Sequence, residues 1–211
     1  MAYDPLRMYL VVRRGAVSSI ARGGELAGAA AVRCVREWAD DPATHEWRPR
    51  PGKVTLRARG GQWARALEEP HALTGDPDGE SVIALPPRRR SERGQLLEQM
   101  QAMTSALDPP PVDDDPVPVA DRVTYVLNPS LEMSSGKTLA QIAHAAVMAA
   151  DTNVLDDWIA AGCPARVVIG EAKRFRELCE GDHEGLAARV VDAGLTEIAP
   201  GTVTVLALPP R

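Results

Sequence analysis

Residues 193–211 read AGLTEIAPGTVTVLALPPR, and residues 71–88 read HALTGDPDGESVIALPPR. Both contain Leu-Thr, a glycine five residues after that threonine, and an apolar run into Leu-Pro-Pro-Arg. Working outward, the resemblance extends to whole segments. MYLVVRR (8–14) and VTYVLN (123–128) read as opening strands, rich in β-branched and aromatic residues. Each is followed by an Ala-rich helical pattern, RGGELAGAAAVRCVREWA (22–39) and SGKTLAQIAHAAVMAA (135–150). A second strand (KVTLRA, 53–58; ARVVIG, 165–170), a second helix (GGQWARALEE, 60–69; EAKRFRELCE, 171–180) and a final strand (SVIALPP, 81–87; TVTVLALPP, 202–210) complete each arm. Similarity at this scale reads as an internal duplication, the alternative being a chance likeness between two Ala/Val-rich α/β halves. Strands alternating with helices predict, in each arm, a mixed or parallel sheet covered by helices.

The two arms are separated by ALDPPPVDDDPVPVAD (106–121). A segment so rich in Pro and Asp supports neither a helix nor a central strand, and reads as an extended, partly polyproline connector. Before it, SERGQLLEQMQAMTSAL (91–107) has helical spacing at Leu96, Leu97, Met100, Met103 and Leu107. The expected organisation is therefore an arm over 1–90, a helix and linker over 91–121, and an arm over 122–211.

Composition narrows the class. The chain has 211 residues, 45% of them hydrophobic, enough for a packed core. With one Phe and three Tyr, that core must be built from Val, Leu, Ile, Ala and the four Trp. Cys34, Cys163 and Cys179 have no paired spacing, which argues for a reducing compartment and against a disulfide framework or a zinc site. No apolar run approaches membrane-spanning length, and MAYDPLRMYL lacks a signal-peptide core, so a soluble, cytoplasmic protein is expected. Net charge is −5, but residues 1–107 carry 16 Lys/Arg against 13 Asp/Glu while residues 108–211 carry 8 against 16. The acidic total does not favour nucleic acid, although the arginine-rich first arm leaves room for a local basic surface.

Chemistry concentrates in two stretches. MSSGKTLAQIAHAA (133–146) ends like a P-loop, but the early glycine that G-x-x-x-x-G-K-[ST] requires is Leu131, so a nucleotide site is disfavoured. From Lys137 onward, Leu139, Ile142, Ala143, Ala146, Val147 and Ala150 make the apolar stripe of a sheet-packed helix, which Ser134 or Ser135 can cap. Lys137, Gln141 and His144 share another stripe. A lysine in the first turn opposes the helix dipole. It is either an ordinary exposed lysine or a cation placed to meet an anion, such as a phosphate or a developing oxyanion. In VVDAGLTEIAPGTVTVLA (190–207), Asp192, Thr196, Thr202 and Thr204 lie between turn signals and the last strand, where Thr202 and Thr204 would share a face. An Asp among hydroxyls can orient a water or accept a proton, and it can equally be turn chemistry.

Taken together, MSxGKxxAQxAHAA (133–146), Trp158 and DAGxTxIxPGTxTVLA (192–207), in that order, resemble the archaeal/eukaryotic-type (type II) peptidyl-tRNA hydrolases, over residues 122–210. The resemblance implies a three-layer α/β sandwich with a four-stranded mixed sheet per arm, usually paired as a homodimer. It implies hydrolysis of the ester between a peptide and the 3′ end of tRNA, with no metal or organic cofactor. Carried over by motif position, the catalytic group is Lys137, Asp192, Thr196 and Thr204, and Gly136, Gln141, His144 and Thr202 contribute to substrate binding. Asp192 would orient or deprotonate water, Lys137 would offset an oxyanion or phosphate, and the threonines would hold the water or the ribose.

There are departures from the family pattern. Asn128 and Ser130 stand where the family carries Arg and Asp, and Glu132 and Ser135 where it often carries Lys. Each change removes positive charge beside Lys137 or adds none, which weakens the expected grip on phosphates. The first arm keeps Arg13, has only Arg22 near its helix start, and carries Pro70 in the aspartate's place. It is expected to be a degenerate, inactive copy that packs on the second arm as an intramolecular pseudo-dimer, with Arg57, Arg59, Arg65 and Arg88–Arg90 as a substitute basic surface. A peptidyl-tRNA hydrolase and a catalytically silent relative, binding tRNA or a protein, are the two functional expectations.

Overall fold

Strands form where the sequence alternates, and the alternation sorts side chains onto two faces of each sheet. In a computed structural model of the protein, which describes residues 4–152, 155–181, 185–194 and 198–211, β1 (Leu6–Arg13) sends Met8, Leu10 and Val12 to one side and Tyr9 and Val11 to the other. The first arm continues through α1 (Ile20–Glu37), α2 (Pro42–Trp47), β2 (Gly52–Ala58), α3 (Gly61–Ala66), β3 (Ala72–Gly75) and β4 (Ser81–Arg89). The linker supplies α4 (Gly94–Gln99) and two short strands, β5 (Gln101–Ala102) and β6 (Val112–Asp113). The second arm is β7 (Val123–Leu127), α5 (Ser135–Ala150), α6 (Asp156–Ala160), β8 (Ala165–Gly170), α7 (Ala172–Glu180), β9 (Ala188–Val191) and β10 (Val203–Leu208).

Two mixed sheets result, ordered β3-β4-β1-β2-β5 and β6-β8-β7-β10-β9. In both, the first and second strands of the arm pair parallel, and the last strand pairs antiparallel with its neighbours. The family pattern predicts four strands per sheet, and each sheet has five. The fifth is a two-residue piece of the linker, β5 on β2 and β6 on β8, which caps an edge that would otherwise leave backbone groups unpaired. The helix expected over 91–107 is likewise shorter. It ends at Gln99, and Met100 already has an extended backbone (ψ 146°). Its apolar residues divide: Leu96, Leu97 and Met100 cover the outer face of the first sheet, while Met103 enters the inner core.

The inner core decides the architecture. α1 and α5 lie against each other between the two sheets. Leu139, Ala143 and Val147 of α5 pack into the first sheet's cluster, whereas Ile142, Ala145, Ala146 and Ala149 pack into the second's. α1 does the converse with Ile20, Ala29 and Val32. Helices that bury two faces must be thin, which explains their alanines. A side chain added at Gly24 would sit 2.6 Å from Ile142 Cδ1, and one at Gly28 3.2 Å from Ala146 Cβ. The outer faces are closed by α3 and α4 on one sheet and α7 on the other.

The linker is tied down rather than free. Asp108 N–H donates to Ser18 O (2.8 Å) and its carbonyl accepts from Ile20 N–H (2.9 Å), while Gly136 N–H donates to Met103 O (3.1 Å). Thr55 Oγ1 on β2, itself buried, donates to Gly136 O (2.8 Å) and joins the first arm to the start of α5. Gly136 is therefore required by a close approach of the linker backbone, since a Cβ there would collide with the Met103 carbonyl. Gly136→Ala ordinarily favours a helix by about 0.5–1 kcal/mol. Here the collision outweighs that gain, and a net loss of about 1–3 kcal/mol is expected in urea unfolding.

Candidate active site

α5 turns its third stripe outward, into a cleft of about 760 Å³ between the two arms. Lys137, Gln141 and His144 lie on this stripe, as the spacing predicts, and β9 delivers Asp192 beside them. Ser134 caps the helix, its hydroxyl accepting from Lys137 N–H (3.4 Å). Lys137 thus sits three residues after the cap, and the anion it meets is the protein's own. Its Nζ donates to Asp192 Oδ2, which also accepts from Gln141 Nε2 (2.5 Å), and Asp192 Oδ1 accepts from Gly194 N–H (2.8 Å).

The carboxylate is fixed by its backbone as well. Asp192 N–H donates to Thr202 O (2.9 Å), and Gly201 N–H donates to Asp192 O (2.8 Å). Asp192 is 6% exposed. Burial alone would raise its pKa, but the bonds from Lys137, Gly194 and Gln141 and the lysine's charge outweigh it and hold the carboxyl below the ordinary range. An ionised, strongly bonded carboxylate is a weak base and a good orienting acceptor. His144 borders the same cleft. Burial, reinforced by Lys53 and Lys137, pushes its imidazole down to about 3, so it is neutral and a poor proton acceptor at physiological pH.

The threonines are placed differently from one another. Thr204 is fully buried, with its hydroxyl 3.5 Å from the Val190 carbonyl across the sheet, and it does not border the cleft. Thr202 precedes β10 in a turn, and a register shift between Val203 and Val205 breaks the alternation that would have put it on a shared face with Thr204. Thr196 lies outside the described residues. Gly136 is on the cleft wall.

Several groups that pattern reading overlooks complete the site. Arg7 of β1, Arg50 before β2, Lys53 of β2 and Arg189 of β9 also line the cleft, and burial lowers the Lys53 pKa to about 7. Among the described lining residues the cations are Arg7, Arg50, Lys53, Lys137 and Arg189, and the one acid is Asp192. The arginines expected to form a basic surface lie elsewhere. Arg88 pairs with Glu69 and Arg89 with Glu46, while Arg57 and Arg59 bond to Gln101. The sequence signal for the real wall is WRPRPGK (47–53), with cations between prolines just before a strand.

Strand register also revises the first-arm counterpart of the aspartate. Thr74 pairs with Val82 as Val190 pairs with Val205, so Asp76, not Pro70, follows its strand as Asp192 does. The local bonding agrees: Asp76 Oδ1 accepts from Asp78 N–H (3.0 Å), and Gly79 N–H donates to Asp76 O (3.0 Å). Matching the Leu-Thr pairs placed the residue wrongly because the loop between these two strands is six residues shorter in the first arm, 76–80 against 192–202. Arg22 stands three residues after its cap Ser19, as Lys137 does after Ser134, but it is tied to Glu25 (2.6 Å) and Glu80 (3.3 Å).

Removing one partner of a buried pair strands the other. Lys137→Met should cost about 3 kcal/mol at neutral pH. A depressed carboxylate stabilises the fold above its unfolded pKa and loses that contribution as pH falls through its folded value. The gap between wild type and variant, measured by urea unfolding, should therefore be full near pH 7 and shrink below about pH 4.

Comparison with known proteins places this geometry. Residues 122–211 match the family model described as peptidyl-tRNA hydrolase PTH2. A peptidyl-tRNA hydrolase of Thermococcus sibiricus is 36% identical over 94 residues, covering 40% of this chain and 80% of the relative. One from Haloquadratum walsbyi is 36% identical over 92 residues, covering 40% and 81%. A probable peptidyl-tRNA hydrolase 2 of Schizosaccharomyces pombe is 35% identical over 98 residues, covering 42% and 48%. With residues 122–211 matched and 80% of a 36% identical relative covered, the chain belongs, through its second arm, to the PTH2 family of peptidyl-tRNA hydrolases.

Proposed function

We propose that the protein hydrolyses the ester bond of peptidyl-tRNA, releasing free tRNA and a peptide. The observation that carries this reading is the ionised Asp192, bonded to Lys137 and Gln141 on the wall of a cleft between the arms. Water adds across the acyl C–O bond: its oxygen goes to the acyl carbon, and one proton goes to the departing ribose 3′-oxygen. Asp192 orients the attacking water as a fixed acceptor. Its depressed pKa makes full proton removal the lesser part of its role. Lys137, at the positive end of α5, offsets the charge that develops on the carbonyl oxygen. Gln141 holds the carboxylate in place, and neutral His144 shapes the wall. Thr196 holds the water or the ribose, as the motif implies.

The first arm, in this reading, is a degenerate copy whose Arg22 is neutralised by two glutamates. It stands where a homodimer partner would, making the chain an intramolecular pseudo-dimer. The matching strand orders support that reading. A translation substrate places the protein in the cytoplasm. No helix among the described residues is long and apolar enough to cross a membrane.

A second reading, a silent relative that binds tRNA or a protein, is favoured by the burial of Thr204 away from the cleft. Release of N-acetyl-amino acid from N-acetyl-aminoacyl-tRNA separates the two. Wild type should turn over, and Asp192→Ala and Lys137→Ala should each fall by about two orders of magnitude. No activity above background at low salt would leave the silent reading.

A further inference from the structure

The first arm does more than fill space beside the cleft. Its segment WRPRPGK (47–53) is tied to itself. Trp47 is buried, and its Nε1 donates to Gly52 O (2.8 Å). Arg50 N–H donates to Trp47 O (3.1 Å), and Gly52 N–H donates to Arg50 O (2.8 Å). Pro49 and Pro51 restrict the backbone on either side of Arg50. Lys53 Nζ stands 4.6 Å from the centre of the Trp47 ring. Arg7, paired with Gly52 across β1 and β2, lies over that glycine so closely that a Cβ would come within 2.9 Å of its Cδ. Arg7, Arg50 and Lys53 thus line the cleft from the first arm, with no acid among that arm's described lining residues; burial lowers the Lys53 pKa to about 7, so it is fully cationic only below neutral pH. The Lys137–Asp192 pair lines the same cleft. The chain as a whole carries −5, so the concentration is local.

From this placement we infer that Arg7, Arg50 and Lys53 form a phosphodiester clamp, supplied by the first arm, for the single strand that carries the scissile ester. The inference rests on the hydrolase reading for the identity of that strand. A phosphate backbone is the chemistry that suits it: repeated single negative charges along a flexible strand, met by a fork (Arg7, Arg50) and a point charge (Lys53). Pre-ordering by the two prolines and the Trp47 bond lowers the entropy lost on binding. The clamp also accounts for the family lysines missing from positions 132 and 135. Positive charge lost from the loop before α5 is supplied across the cleft by the other arm.

The test uses the full chain and a short fluorescent single-stranded RNA with the 3′-terminal CCA of tRNA, followed by anisotropy over a salt series. Loss of one phosphate contact in single-stranded RNA reduces the slope of log K against log salt by about 0.7. At pH 6, where Lys53 is protonated, Arg50→Ala and Lys53→Met should each show that reduction and a weaker affinity at low salt. Arg176→Ala, an exposed cation on α7 outside the cleft, should match wild type. Thermal unfolding checks that each variant is folded, and Gly52→Ala, which displaces Arg7 without removing a charge, provides an independent route to the same loss. Slopes unchanged in Arg50→Ala and Lys53→Met would overturn the clamp, whether or not wild type hydrolyses N-acetyl-aminoacyl-tRNA. Reduced slopes with no turnover would sustain the clamp and remove the hydrolase reading.

Discussion

Two helices share one layer, and most of the structure follows from how closely they can approach. α1 and α5 are each buried on two sides, against each other and against sheets from both arms. A bulky side chain at Gly24 or Gly28 would separate them and open both cores. Interiors pack near crystal density, so the separation would not be local. The thinness of this layer brings β2 of the first arm within hydrogen-bonding distance of the first turn of α5 through Thr55 and Gly136. The same approach brings Lys53 and Lys137 to the lining of one cleft.

The linker makes that approach permanent. Its Pro- and Asp-rich composition suggests a mobile tether, yet it donates and accepts backbone bonds with both arms and contributes an edge strand to each sheet. Leu107 packs against both inner clusters, and its N–H donates to Ser135 Oγ (3.1 Å). Most of the segment stays exposed, with Pro110 and Pro116 buried, so its backbone groups are satisfied by these bonds or by water.

The electrostatics of the cleft set two kinds of charge against each other. Asp192 is nearly sealed from water, which alone would neutralise it, and three donors keep it ionised. The surrounding wall is cationic through residues of both arms. Lys137 belongs to both halves of this arrangement, which explains why a cation is tolerated against the helix dipole.

Much of this is written in local sequence. The alternating strands, the Ala-rich helices and the spacing of Lys137, Gln141 and His144 depend on periods of two and 3.6 residues, and these periods survive in the fold. The motif around Asp192 likewise marks a residue that the fold places beside Lys137. What depended on long-range pairing was not legible. Matching Leu-Thr to Leu-Thr pointed to Pro70, whereas strand register selects Asp76, because a shorter loop leaves no trace in composition. Thr202 and Thr204 looked like a pair until the bulge at Val203–Val205 separated them. The cations of the cleft, Arg7, Arg50 and Lys53, lie 84 to 130 positions before Lys137. Nothing local marks them as partners of the site. The helices, the strands and the Lys137–Asp192 pairing were thus legible in local sequence. Which first-arm residues share the cleft with that pair was settled by the packing of α1 on α5, which no periodicity encodes.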